Sequence, residues 1–264
     1  MRNRRVARHL AAALLVAACA RQSDAGWLIE RVTRTEVKPG PAAKVVLLIS
    51  KGRVKEVHED GTYFLWDLSR GTLFQVNPAA RSYSGGPIEK MIAAVKRYFD
   101  RMRADLANMT DEQREALARE SGDMPMPVPP PAKPAAWTAK RTERSETVVG
   151  RRADLYEIYR DGKLYESRWI ASQMSFDGDL DYPAFARWSH ELEAAFATGM
   201  GQDLPAGKAI ERLDAKGLVL RSVLSGEGVR VVSEVTRLEK RDLPDSTFVL
   251  PVEYKAKGAE VSRE

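Results

Sequence analysis

Three groups of residues in this chain have types and spacings that could do chemistry. Ser189, His190 and Glu191 offer a hydroxyl, an imidazole and a carboxylate in a row; Asp177, Asp179 and Asp181 around Gly178 form an oxygen-rich loop; Cys19 is a single thiol near the N-terminus. The first group falls on an expected helix, where residues one position apart do not face each other, so it is no triad. The second has the alternation of a calcium loop, but Tyr182 stands where the turn glycine belongs and Trp188 where the bidentate glutamate belongs. Those aspartates read instead as a polar loop capping the helix that Pro183 opens. Apart from His9, His58 and His190 are the only histidines, and no Gly-x-Ser-x-Gly, His-Glu-x-x-His or paired-cysteine spacing occurs. No catalytic residue, metal site or cofactor is therefore expected, and the chain reads as a non-enzyme.

Cys19 carries the clearest covalent chemistry. Arg2, Arg4, Arg5 and Arg8 open the chain, Leu10 to Ala18 is a short apolar run, and small residues follow. This is the layout of a secretory signal, too short for a spanning helix of about 20 apolar residues. Val16-Ala17-Ala18-Cys19 resembles the bacterial lipobox, in which cleavage before the cysteine leaves a lipid-bearing N-terminus, although valine stands where leucine is usual. Cleavage after Ala25, with small residues at 23 and 25, is the alternative. A signal segment over residues 1–25 and a periplasmic location follow as expectations, with outer-membrane attachment if Cys19 is lipidated. Arg4-Arg5 lacks the surroundings of a twin-arginine signal. As the only cysteine, Cys19 permits no internal disulfide.

Loss of the leader also changes the electrostatics. The chain has 42 basic and 37 acidic side chains, and residues 1–18 hold four of the basic ones, leaving a net charge of +1 on the remainder. The local basic clusters Lys140, Arg141, Arg144 and Arg151, Arg152 are interleaved with Glu143 and Glu146 or sit at a turn. Nucleic acid is thus not an expected partner.

These residues must be positioned by mostly β structure. From Gly26 to Ser84, short runs of β-branched and aromatic residues alternate with turn signals at Lys38 to Pro41, Lys51-Gly52, Glu59 to Gly61 and Ser69 to Gly71, predicting an antiparallel meander. The period then becomes helical: Ile88, Met91, Ile92, Val95, Tyr98, Phe99, Met102, Leu106 and Met109 recur at steps of three and four. The stripe is read as a helix packed on the sheet, with a methionine-rich lid as the alternative. Thr110 and Gln113 have capping-box spacing for a second helix. Residues 123–136 are a proline-rich loop, a linker or an exposed polyproline segment. Trp137 to Val148, Ala153 to Arg160 and Leu164 to Ala171 are further strands, with Asp161-Gly162 as a hairpin turn. Pro183 opens an amphipathic helix carrying Phe185, Trp188, Leu192 and Phe196, and a last hairpin spans Leu218 to Leu238. One domain over residues 26–255 with a polar tail at 256–264 is expected.

Thr147-Val148-Val149-Gly150-Arg151-Arg152-Ala153-Asp154-Leu155-Tyr156, then Asp161-Gly162, then Glu166-Ser167-Arg168-Trp169-Ile170-Ala171, is similar to the core of a periplasmic family described as domain of unknown function 4412. Gly217 to Ser222, Val235 to Lys240 and Pro244 to Tyr254 resemble its C-terminal signature. That family resembles the lipoprotein carriers LolA and LolB. The resemblance implies an α+β fold: one strongly curved antiparallel β-sheet, a LolA-like half-barrel, with amphipathic helices on its concave face, and no assigned catalytic residue. A carrier role is analogy of fold alone.

In such a half-barrel, Leu47, Ile49, Tyr63 and Leu65 on the strands and Phe99, Met102, Trp188 and Phe196 on the helices are the expected cavity residues. A lipid or acyl chain is the expected ligand. The alternative is a structural or protein-interaction envelope lipoprotein whose helices fill the core.

Overall fold

The turns fix the sheet. Lys51-Gly52, Val149-Gly150 and Asp161-Gly162 all have positive φ at both positions, the geometry of two-residue hairpins whose twist matches that of the strands they join. Asp60 Oδ1 accepts from Thr62 N at 2.9 Å, Asp67 Oδ1 from Arg70 N at 3.1 Å and Asn77 Oδ1 from Ala80 N at 2.9 Å. Short polar side chains thus close the remaining turns of the first meander.

The computed structural model describes residues 25–36, 40–121, 135–172, 174, 176, 178–199, 204–205, 207–226 and 229–257. The first meander is β1 (Ala25–Thr35), β2 (Ala43–Ser50), β3 (Arg53–His58), β4 (Tyr63–Asp67), β5 (Thr72–Asn77) and β6 (Ser82–Pro87). Helices α1 (Ile88–Asn108) and α2 (Asp111–Ser121) follow. The second meander is β7 (Trp137–Val148), β8 (Arg151–Arg160) and β9 (Lys163–Ala171), then β10 (Leu218–Gly226) and β11 (Val229–Asp242), with α3 (Tyr182–Gly199) and α4 (Lys208–Asp214) inserted between β9 and β10. A 3₁₀ turn at Asp245–Phe248 leads to the two-residue β12 (Lys255–Ala256).

All twelve strands form one open, curved sheet in the order β12-β6-β5-β4-β3-β2-β1-β11-β10-β9-β8-β7. Every pairing is antiparallel except β12 with β6. The two meanders meet at β1 and β11, where Ala25 faces Asp242 and Thr35 faces Val231, with a bulge at Glu30/Arg31. The α+β class and half-barrel expected from the sequence are what the chain adopts.

α1 starts after Pro87 without a side-chain cap; Ile88 N donates to Gly71 O at 2.9 Å instead. Its buried Ile88, Ile92 and Phe99, with Met91 and Val95 against the main core, follow the stripe read from the sequence, but Tyr98, expected in that stripe, is 57% exposed. The capping box before α2 is closed in both directions, Thr110 N to Gln113 Oε1 at 2.9 Å and Gln113 N to Thr110 Oγ1 at 3.3 Å. The connection between α3 and β10 contains α4. Its Ile210 and Leu213 pack on Tyr156, Ile158 and Ile170 as a separate cluster, and a single two-turn helix leaves too short a pattern to read.

Residues 1–24, with Cys19, the candidate cleavage positions before them and the basic run, lie outside the described residues, as do 123–134 of the proline-rich loop, Asp177 and 258–264 of the tail. Among the described residues no helix is long and apolar enough to cross a membrane.

Candidate functional site

Strand alternation puts Trp27, Ile29, Arg31 and Thr33 of β1 on one face. Register carries that face to Val45, Leu47 and Ile49 on β2, Val54, Glu56 and His58 on β3 and Phe64 and Trp66 on β4. One end of the face is packed. Trp27, Ile49, Val54, Trp66 and Leu73 are buried in the main core with Phe185, Trp188 and Leu192 of α3 against them. Phe185 meets Trp66 edge-on at 5.4 Å, and Phe176 meets Trp27 at 5.9 Å. The other end is open: a cavity of about 370 Å³ separates the sheet from α3.

The cavity has an apolar part, with Ile29, Leu47, Ile49, Leu180 and Phe185, and a polar part, with Arg31, Thr33, Glu56, Arg168, His190 and Glu193. A hollow of about 470 Å³ between α1 and α3 is walled by helix residues including Lys96, Phe99, Arg103 and Ala194 and does not reach the sheet. The sheet-bound cavity is therefore the site that the half-barrel itself creates.

The expected cavity residues divide. Leu47 and Ile49 line the cavity. Tyr63 and Leu65 do not: they are buried on the opposite face with Val76, beneath Leu250 and Tyr254 of the C-terminal segment. Both parities of Tyr63-Phe64-Leu65-Trp66 are apolar because β4 is covered on both faces, so alternation could not assign the inward pair. Phe99 belongs to the α1–α3 seam rather than the cavity: it lines the helix hollow and pairs edge-on with Phe196 at 6.2 Å. Met102 is half-buried on α1 and Phe196 is 44% exposed, and neither lines the sheet-bound cavity. Trp188 packs into the main core beside Gly71.

Sequence reading passed over Arg31, Glu56 and Arg168. The available signal was a charged residue at the inward parity of otherwise apolar strands, as in Trp27, Ile29, Arg31 and Val54, Glu56. Arg31 Nη2 donates to Val219 O at 2.8 Å, tying β1 to β10. Arg168 Nη2 lies 2.8 Å from Glu166 Oε2, with both side chains largely shielded. Burial raises the Glu56 carboxyl above its ordinary range, against the opposing pull of His58, Arg31 and Trp66. His58 Nε2 stands 3.5 Å from Glu56 Oε1. Trp66 Nε1 is buried without a hydrogen bond of normal geometry, yet it lies near enough to favour the ionised carboxyl.

A raised carboxyl opposes stability as pH increases. Through the window between its unfolded and folded pKa the native state holds a proton that the unfolded state has released, so stability falls there and stays lower above it. Glu56→Gln is accordingly expected to raise the thermal midpoint at pH 8. The gain should shrink as the pH falls and vanish at about pH 3, well below the ordinary glutamate pKa, where the side chain is protonated in both states. A gain independent of pH would show that removal of charge is not its source.

The polar constellations of the sequence resolve structurally. Asp181 Oδ1 accepts from Ala184 N at 3.1 Å as the cap of α3, and Asp179 O accepts from Gly52 N at 2.7 Å, pinning the loop to the β2–β3 turn. Ser189 faces the sheet cavity, whereas Glu191 lines the hollows between helices, so the Ser-His-Glu run does not converge. Among the described residues no group of three histidine, cysteine, aspartate or glutamate side chains could hold a metal ion.

No family model and no curated protein matches the chain, so the resemblance to the domain family rests on the residues quoted for it. Among solved structures, the chain is similar to PNGF-II at TM-score 0.39 and 11% identity, over 89% of this chain and 31% of that one. It is similar to MucB in the Pseudomonas aeruginosa MucA/MucB complex at 0.37 and 11%, over 88% of this chain and 58% of that one. A LolA superfamily protein from Nitrosomonas europaea aligns at 0.29 and 11%, over 87% of this chain and 91% of that one. The chain thus spans less than two thirds of PNGF-II and of MucB in that complex. These likenesses are distant, and the half-barrel assignment stands on the strand order and register described above.

Proposed function

We propose that this protein binds a lipid or another ligand with an acyl chain in the cavity between the sheet and α3, without catalysing a reaction on it, and that it does so as an exported, periplasmic protein. One observation carries this reading: the face of the half-barrel is packed at the Trp27–Trp66 end but leaves about 370 Å³ open beside Ile29, Leu47 and Phe185. That volume falls in the range of small-molecule sites, about 300–1,000 Å³, and its apolar wall suits a hydrocarbon chain. The leader residues add export, and Cys19 adds a membrane anchor if it is lipidated.

The rival reading is an interaction protein whose interior is packed shut. Native mass spectrometry of the protein purified without detergent separates the two. Co-purified lipid, or a stoichiometric adduct after addition of a twelve-carbon fatty acid, is the expected result. A clean protein mass with no adduct at any ligand excess would sink the binding reading.

A further inference from the structure

A row of half-buried polar residues crosses the sheet at the cavity. Arg168 of β9 pairs with Ser222 of β10, Ser222 with Ser233 of β11, and Ser233 with Thr33 of β1. Thr33 Oγ1 donates to Ser233 Oγ at 3.1 Å, so the row is closed by a hydrogen bond between strands distant in sequence. Arg31 lies two residues from Thr33 on the same face of β1, held against β10 through Val219 O. Arg31, Thr33, Ser233 and Arg168 all line the cavity.

Half-buried hydroxyls and guanidiniums in a row on a sheet face are costly if they serve packing alone, because each polar group partly removed from water must find a partner. Apolar residues would fill the same positions more favourably, so the row marks a place where packing yields to recognition.

We propose that this row is a head-group subsite and that the ligand of the cavity is an anionic amphiphile, its carboxylate or phosphate held by Arg31 and Arg168 and its chain lying along Ile29, Leu47 and Ile49. This rests on the cavity being the ligand site. Both guanidiniums present forked donors suited to oxyanions, and the Thr33 and Ser233 hydroxyls add further hydrogen-bonding capacity. The acidic groups on the same cavity are Glu56 and Glu193, with His190 beside them. Burial favours the neutral form of Glu56, which lowers the opposing charge near Arg31. Arg168 is already paired with Glu166, so Arg31 is the residue whose removal should be read first.

The test is a series of probes sharing a twelve-carbon chain, titrated calorimetrically into the full-length mature protein below their aggregation thresholds: dodecyl phosphate, monododecanoylglycerol and dodecyltrimethylammonium, with inorganic phosphate as a chain-free arm. Dodecyl phosphate should bind at least about tenfold tighter than the neutral glyceride, the value of a charge-assisted hydrogen bond. Arg31→Met should erase that preference, so that the variant binds dodecyl phosphate no tighter than it binds the glyceride. Arg31→Lys should keep part of it. If Arg31→Met fails to fold, the probe series on the unaltered protein and Arg31→Gln still decide the matter. Equal affinity for all three head groups, or tightest binding of the ammonium, overturns the head-group assignment and leaves chain binding standing. Inorganic phosphate binding as tightly as dodecyl phosphate overturns it in favour of a free-anion site. If no twelve-carbon probe binds, the head-group subsite and the lipid-binding reading fall together.

Discussion

Gly85→Ala is expected to lower the free energy of unfolding by about 3–5 kcal/mol, at the severe end for single substitutions. A Cβ built on Gly85 would sit 2.2 Å from the carbonyl oxygen of Leu73 and 2.8 Å from Cα of Phe74. Neither atom can move without breaking the β5–β6 ladder, where Phe74 faces Gly85 and Leu73 faces Gly86. Its φ of +141° adds backbone strain for any L side chain. The consequence reaches α1, because the strand delivers Ile88 to its place: Ile88 N bonds Gly71 O, and Ile88 and Leu73 are both fully buried. Gly86→Ala is the matched control. Its φ of +156° is also unfavourable, but nothing lies within 4 Å of its would-be Cβ. Strain alone should cost it about 1–3 kcal/mol. Urea unfolding of the two variants compares them directly, and equal losses would remove the steric account of Gly85.

The sheet was legible where its rules are local. Lys51-Gly52 and Asp161-Gly162 announced hairpins, and Thr110 with Gln113 announced a helix start, because each signal and its effect lie within a few residues. α1 was legible for the same reason, since Ile88, Ile92 and Phe99 repeat within one element. The pairing of β1 with β11 joins residues about two hundred positions apart, and no local pattern encodes it. Tyr63 and Leu65 were misplaced because the C-terminal segment covers the outer face of β4, which makes a normally alternating strand apolar on both sides. The site suffered most. Leu47 and Ile49 could be found by hydrophobicity, but a rule that searches for greasy residues discards Arg31, Glu56 and Arg168, the groups that distinguish this cavity from ordinary core. Their meaning depends on α3 lying across them, and that contact exists only in the folded chain.

Leu47→Trp separates an open cavity from a packed interior and should abolish chain binding. Leu47 sits on β2 between Ile29 and Glu56, half-buried on the cavity wall, and a strand side chain stands nearly perpendicular to its sheet. An indole at this position enters the space that the acyl chain needs. If the cavity is open, the larger ring adds buried apolar area, and stability is kept or rises by about 1 kcal/mol. Affinity for a twelve-carbon fatty acid should then fall more than tenfold. If the interior is packed shut in solution, the same substitution forces neighbours off their rotamers and costs about 1–3 kcal/mol. The combination of measurements matters, since lost binding with lost stability signals only damage. Tyr63→Phe supplies the reference on the opposite face. Tyr63 lies beneath Leu250 and Tyr254 with Lys55 Nζ over its ring at 4.1 Å, so it should leave ligand affinity unchanged. A loss of binding in Tyr63→Phe, with Leu47→Trp silent, would move the ligand to the outer face of the sheet.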